Sequence, residues 1–270
     1  MKVTESEFEQ LFEENQPKLK SFIYRLVTNT EDVEDLSQET FIKAYKNLHK
    51  FKGDSTFKTW LFAIANNLIK DHFRAQKRWT RNAQNNCSQS IKNSSELQEQ
   101  VMNVYFKNTF EIKNHIDYCF TCVMKYLPLE RHIAVMLADI YDFKIAEIAV
   151  IMGKSVGSIK HLLFKGRKTM KEVFAEDCTL IHKTGACWKC SELSNTGNSK
   201  AETQRKIATL ELTKEKNKDA TKLYKIRTAL IKGIDPLKSS NFQLHDFLLN
   251  QTNTANGKTY PKIDKACKDL

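Results

Sequence analysis

Apolar residues recur at three- and four-residue spacing along most of the chain and almost nowhere alternate strictly. That period puts side chains on one face of an α-helix, so the pattern predicts an all-α fold. In the first segment Phe8, Leu11, Phe12, Leu19, Phe22, Ile23 and Leu26 share one stripe. Pro17, which lacks an N–H, is expected to mark a break or early turn within it. A second helix is expected from Thr30, an N-cap residue ahead of acidic positions that suit the positive end of the helix dipole. A third follows a loop over 51–55 and carries Phe57, Trp60, Phe62 and Phe73 before it ends in bases. Its expected inward stripe is Trp60, Ile64 and Leu68, with Lys58, Phe62, Asn66, Lys70 and Arg74 on another side.

These helices make a compact domain over 1–78. The stretch after it, "WTRNAQNNCSQSIKNSS", is rich in Asn, Gln and Ser, which predicts a flexible, weakly structured linker over 79–109. A second helical domain is expected over 110–176. There Pro128 falls in the first turn of one helix, Lys144 to Met152 make a short one, and Val156 to Phe174 a longer, basic one after a turn at Gly153. Two helices joined by a Gly-containing turn, the second basic, form a helix-turn-helix pattern. A Cys/His loop follows at 177–191, then a basic extension at 192–270 with helical stretches at Ala201 to Lys216, Ala220 to Lys232 and Phe242 to Leu249 before a frayed end.

A hydrophobic content of 41% is enough to build cores at this length. The formal net charge is +11, and bases increasingly outnumber acids after the nearly balanced, slightly acidic first 70 residues. A polyanion such as nucleic acid is the partner such a field favours. No run of about 18 apolar residues occurs and the N-terminal residues are acidic, so neither a membrane span nor a secretory leader is expected, and the expected location is cytoplasmic. Gly-rich phosphate loops, HExxH and the Ser elbow are missing, so the chain is not expected to be an enzyme. On the last helix of the second domain Ser158, Lys160, His161, Lys165, Arg167 and Lys168 face outward, residue types that bond phosphates and base edges. On the third helix, aromatics beside amides and cations form a platform for unstacked bases.

Two segments together resemble a known family. "DVEDLSQETFIKAYKNLHKFKGDSTFKTWLFAIANNLIKDHFR" is similar to region 2 of the extracytoplasmic-function sigma factors of the sigma-70 family, and "LPLERHIAVMLADIYDFKIAEIAVIMGKSVGSIKHLLFKGRKTM" resembles their region 4. The resemblance implies a transcription initiation factor that directs core RNA polymerase to particular promoters, needs no cofactor, and has as partners core RNA polymerase through its β′ clamp and β subunits, promoter DNA, and an anti-sigma factor. Asp35, Gln38, Glu39 and Phe41 fall where the family docks on the β′ clamp. Lys52, Asp54 and Ser55 sit in the loop that captures a flipped base of the -10 element, and Asn67, Lys70, Asp71 and Arg74 match the helix beside it, where Phe62 adds a ring. Ser155, Ser158, Lys160, His161, Lys165 and Arg167, with Lys168 on the same face, would read the -35 duplex. The sequence departs from the family at Leu162, where a basic residue is usual, and at Phe164, where His is frequent. The competing reading is a helix-turn-helix regulator that does not engage polymerase, for which "DLSQETF" has no purpose.

Of seven cysteines, Cys119 and Cys122 lie on one apolar helix face, as small buried hydrophobes would. Cys178, His182, Cys187 and Cys190 are spaced as a tetrahedral zinc site could be, with redox sensing or plain packing as alternatives. The length of the extension and the adjoining cysteines suggest that it regulates the factor in place of a separate anti-sigma protein.

Overall fold

The computed structural model describes residues 3–74, 78–80, 82–106, 112–177 and 219–257. Cys178, His182, Cys187 and Cys190 lie outside the described residues, as do the helix expected at Ala201 to Lys216 and positions 258–270. The described helices are α1 (Glu5–Val27), α2 (Thr30–Lys46), α3 (Phe57–Phe73), α4 (Ala83–Lys92), α5 (Ser95–Phe106), α6 (Ile112–Met124), α7 (Leu129–Asp139), α8 (Ile145–Met152), α9 (Val156–Asp177), α10 (Ala220–Lys232) and α11 (Phe242–Ala255). No strand occurs among the described residues, and the fold is all-α.

Helices α1, α2 and α3 pack around Phe8, Phe12, Phe22, Leu36, Leu61 and Ile69. Thr4 and Glu7 close a reciprocal capping box at the start of α1. Contrary to expectation, Pro17 does not break α1. It is exposed, so the carbonyl one turn earlier that loses its donor lies on the solvent side, while the apolar stripe runs uninterrupted on the other. The cap of α2 is Asn29 rather than Thr30, with its Oδ1 accepting from the Asp32 N–H at 2.9 Å.

The second domain is built from α6 to α9. Gly153 turns the chain between α8 and α9 at φ +63°, a left-handed conformation that favours glycine. Gly166 lets α9 approach α7 closely: a Cβ there would sit 2.7 Å from Val135 Cγ2.

Residues 79–109, expected to be a flexible linker, contain α4 and α5. Ala83, Cys87 and Ile91 recur at four-residue spacing, are buried, and face α11. A polar composition concealed a narrow apolar stripe whose partner lies more than 150 residues away. The extension in turn touches both domains and the segment between them: α10 packs on α9 and α6, the turn at Pro236–Lys238 on α1, and α11 on α4 and α5.

Where these layers meet, Arg25 of α1 is buried at 1% exposure. Its guanidinium donates to Asp117 Oδ1 of α6 at 2.8 Å, Ser21 Oγ at 2.8 Å, the Tyr141 hydroxyl at 2.9 Å and the Ile234 carbonyl of the extension at 2.8 Å. Burial opposes the charge, but the Asp117 carboxylate and Tyr141 outweigh it and hold the guanidinium above its ordinary pKa. A second bolt lies beside it: buried Lys125 donates to the Val27 carbonyl at the end of α1 at 3.1 Å, over the rings of Phe73 and Trp79. Trp79 Nε1 donates to Asn253 Oδ1 at 2.9 Å, and Asn253 reaches Thr28 Oγ1 at 3.3 Å.

Two predictions follow from this packing. Removing one member of the buried pair leaves an uncompensated charge, so Arg25→Met should lower the unfolding free energy by about 3–5 kcal/mol, and Arg25→Met with Asp117→Leu should recover much of the loss in a denaturant titration. Half-buried Asp246 on α11 has its carboxyl lifted by burial from 3.8 to about 6. The folded state therefore binds the proton more tightly than the unfolded chain, so this contribution is complete below about pH 4 and is lost as pH rises through about 6. Asp246→Asn should raise the melting temperature at pH 7.5 and have a much smaller effect near pH 4.

Candidate nucleic-acid and polymerase interface

The acidic, apolar face of α2 is open. Asp35, Gln38 and Glu39 are exposed and Phe41 is half-buried. Gln38 and Phe41 line a groove between α1 and α2 together with Glu9, Phe12, Glu13, Glu34 and Ile42. Ile42 is 47% exposed, and Phe41 stacks on Tyr45 with ring centroids 6.2 Å apart. Exposed apolar residues inside a rim of carboxylates suit a basic, amphipathic helical partner.

The residues expected to meet melted DNA fall into two groups. Lys52 and Asp54 are exposed and Ser55 is half-buried in the loop before α3, and Asn67, Asp71 and Arg74 are exposed on the helix itself. Arg74 pairs with Asp71 at 2.8 Å, an exposed contact of little energy. Phe62 and Lys70 instead face the second domain. The Phe62 ring is 0% exposed, 5.2 Å from Phe22 and 4.9 Å from Phe143. Lys70 Nζ donates to the Met152 carbonyl at 3.2 Å. Neighbouring positions behave alike: Asn66 Nδ2 donates to the Ile151 carbonyl at 3.0 Å, and Lys58 reaches the Tyr141 carbonyl at 3.4 Å and lies 4.2 Å from the centroid of Phe143. Burial lowers the pKa of both lysines. The expected inward stripe is therefore shifted: Trp60 and Ile64 are only half-buried, Trp60 packing on Phe51 and Phe57, while Leu61, Phe62, Ala65 and Asn66 go inside.

On α9, Ser155 caps the helix by accepting from the Ser158 N–H at 3.2 Å, and Ser158, Lys160, His161, Lys165 and Lys168 are exposed on one face. Phe164 stands among them at 64% exposure. Arg167 is held differently from its neighbours. Its guanidinium grips Asp139 of α7 through Nε and Nη2, and the Asp139 carboxylate also accepts from the Tyr224 hydroxyl of α10 at 2.7 Å. Sequence reading missed Asp139 and Tyr224 because their link spans 85 residues. Asn66 was placed on the right helix, and its four-residue spacing from Phe62 and Lys70 was the available signal.

The sigma-70 region 2 family matches residues 11–79 and the sigma-70 region 4 family residues 118–170. The RNA polymerase sigma-H factor of Pseudomonas aeruginosa is 28% identical over 163 residues, 60% of this chain and 83% of the relative. The ECF RNA polymerase sigma-E factor of Escherichia coli K12 is 29% identical over 157 residues, 57% of this chain and 80% of the relative. A solved structure, the sigma factor RpoE in complex with the anti-sigma factor NepR from Bartonella quintana, aligns with 63% of this chain and 98% of its own at 21% identity and a TM-score of 0.45. The chain belongs to the sigma-70 family of RNA polymerase sigma factors. Within that family it is a sigma factor of the extracytoplasmic-function type, and its α10 and α11 lie beyond the matched residues.

In the second domain Cys122 is fully buried and Cys119 half-buried. Burial pushes the Cys122 thiol up to about 12, which removes its thiolate at neutral pH. Peptide mapping after iodoacetamide at pH 7.5 should find Cys122 unmodified in the native protein and modified in denaturant.

Proposed function

We propose that this sigma factor docks on core RNA polymerase through Asp35, Gln38, Glu39 and Phe41 of α2 and reads promoters with two separate surfaces. The observation that carries the reading is the pair of open, chemically opposite faces: an acidic, apolar one on α2 and a basic one on α9. Ser158, Lys160, His161, Lys165 and Lys168 enter the -35 major groove, with Ser155 fixing the start of the helix. Arg167 reaches DNA by sharing or leaving Asp139, so it positions the helix against the backbone more than it reads a base. The loop at Lys52, Asp54 and Ser55, with Phe62, Asn67, Lys70, Asp71 and Arg74, takes the melted -10 strand. The chain acts by binding rather than catalysis and works wherever core polymerase is, in the cytoplasm. Zinc at Cys178, His182, Cys187 and Cys190, and an anti-sigma partner, rest on residue spacing and on the family resemblance.

Run-off transcription from a promoter pool, by core polymerase with and without the protein, tests the reading. Promoter-specific transcripts should appear only on its addition and vanish with Asp35→Ala/Glu39→Ala, while duplex promoter binding by that variant persists. Lys165→Ala should weaken promoter binding about uniformly across sequences and reduce the salt slope by about 1. Undiminished transcription by the α2 variant would refute the docking assignment.

A further inference from the structure

We propose that residues 219–257 are an inhibitor built into the chain, bracing regions 2 and 4 against each other so that the -10 face of α3 stays covered. The proposal rests on the promoter reading of α3 and α9 and adds the regulation of those surfaces.

The covered face is chemically matched to its cover. Lys58, Asn66 and Lys70, donors suited to a polyanion, are spent on backbone carbonyls of Tyr141, Ile151 and Met152. The last two carbonyls sit at the C-terminal end of α8, the negative end of its dipole, and so stand where a strand's acceptors would lie. Thr59 Oγ1 adds a bond to Glu147 of α8 at 3.4 Å, and Phe62, the ring expected to meet a base, is sealed against Phe143. DNA cannot reach this face while α8 is on it.

The same contact defeats simultaneous reading of both elements. Elements centred roughly 25 base pairs apart are separated by about 85 Å of duplex at 3.4 Å per base pair. Helix α3 is only about 25 Å long at 1.5 Å per residue, and here it touches α8 of the very motif that would read the distant element. Promoter engagement therefore requires the two regions to part.

Parting is opposed by direct bonds between the regions, such as Arg25 to Asp117 and Lys125 to the Val27 carbonyl, and the extension adds a second set. From one side it holds region 2: Ile234 accepts from Arg25, Asn250 from Asn29, and Asn253 bonds both Thr28 and Trp79. From the other it holds region 4: Tyr224 donates to Asp139, Lys232 pairs with Asp142, Lys171 donates to Thr221, and Arg227 lies 3.9 Å from the ring centroid of Phe174. Asp139 is also the partner of Arg167, so the brace reaches a residue of the -35 helix through one shared carboxylate. An element bonded to both halves resists their separation with its own contacts, over and above those that α1 and α3 make directly with region 4.

The test uses the full chain with Leu244→Asp/Leu248→Asp, which places carboxylates in the buried face of α11, and separately with Tyr224→Phe/Lys232→Ala, which removes two links to region 4 without opening a cavity. Circular dichroism checks folding, small-angle X-ray scattering reads the radius of gyration, and run-off transcription with core polymerase at limiting sigma reads function. If the closed form outnumbers the open by about 10 to 1, releasing it raises apparent affinity by about tenfold. The expected result is a larger radius and a higher transcript yield for both variants, the second less than the first. Variants that expand without gaining transcription, or that stay compact although α11 has lost its contacts, would overturn the inhibitor. Promoter-specific transcripts from neither parent nor variants, with a cognate core, would instead remove the sigma reading beneath it.

Discussion

Burying an arginine is costly unless acceptors surround its guanidinium, and Arg25 meets that constraint with groups drawn from four parts of the chain. Asp117 comes from α6, Tyr141 from the corner after α7, Ser21 from its own helix, and the Ile234 carbonyl from the extension. Each partner is positioned by a different element, so the network closes only when all of them are assembled. Desolvating a guanidinium costs several kcal/mol, and the cost is offset only in that complete geometry. The ion pair thereby adds specificity to an arrangement that apolar contacts alone would favour less selectively. Lys125 against the end of α1 and Arg78 against the Met124 and Leu127 carbonyls repeat the device, with cations used as capping donors at helix ends.

This arrangement separates surfaces by accessibility. The groove between α1 and α2 and the basic face of α9 both look outward, while the donors on the inner side of α3 meet carbonyls of region 4. The division matters because polar donors such as Asn66 and Lys70 are neutral in apolar company only when fully bonded. Closing α8 over them gives both donors a carbonyl acceptor in the absence of DNA, while Asn66 Oδ1 stays buried without a partner. A polyanion competing for this face would have to replace the same bonds to the Ile151 and Met152 carbonyls.

The local part of this was readable in the sequence. The helix expected at Ala220 to Lys232 has those bounds in the structure, and the turn at Gly153 is where a flexible residue between two apolar runs placed it. What failed depended on distant partners. Pro17 was read by its local chemistry, but the stripe from Phe8 to Leu26 packs continuously and overrides it. Residues 79–109 were judged by polar composition, while Ala83, Cys87 and Ile91 needed α11 to become a core. Phe62 and Lys70 fell on the expected helix, yet what covers them is fixed by α8, which no local pattern announces. Cys178, His182, Cys187 and Cys190 lie outside the described residues, and their spacing is all that speaks for them.

The division of surfaces also orders the events of assembly. On the proposed assignment, polymerase docks on α2 in the closed state, because nothing among the described residues covers Asp35, Gln38 or Glu39, whereas the -10 strand is kept from the Phe62, Asn66 and Lys70 side of α3 until regions 2 and 4 separate. A partner that binds open and closed forms equally shifts nothing, however tightly it binds. Polymerase therefore promotes opening only if it also holds region 4 away from α3, in a way the closed pair cannot match. By reciprocity, any force that tightens the extension, such as protonation of Asp246, must weaken a partner of the open form by the same factor. Under the proposed inhibition, the extension contributes to the free energy that polymerase must supply before promoter DNA is read.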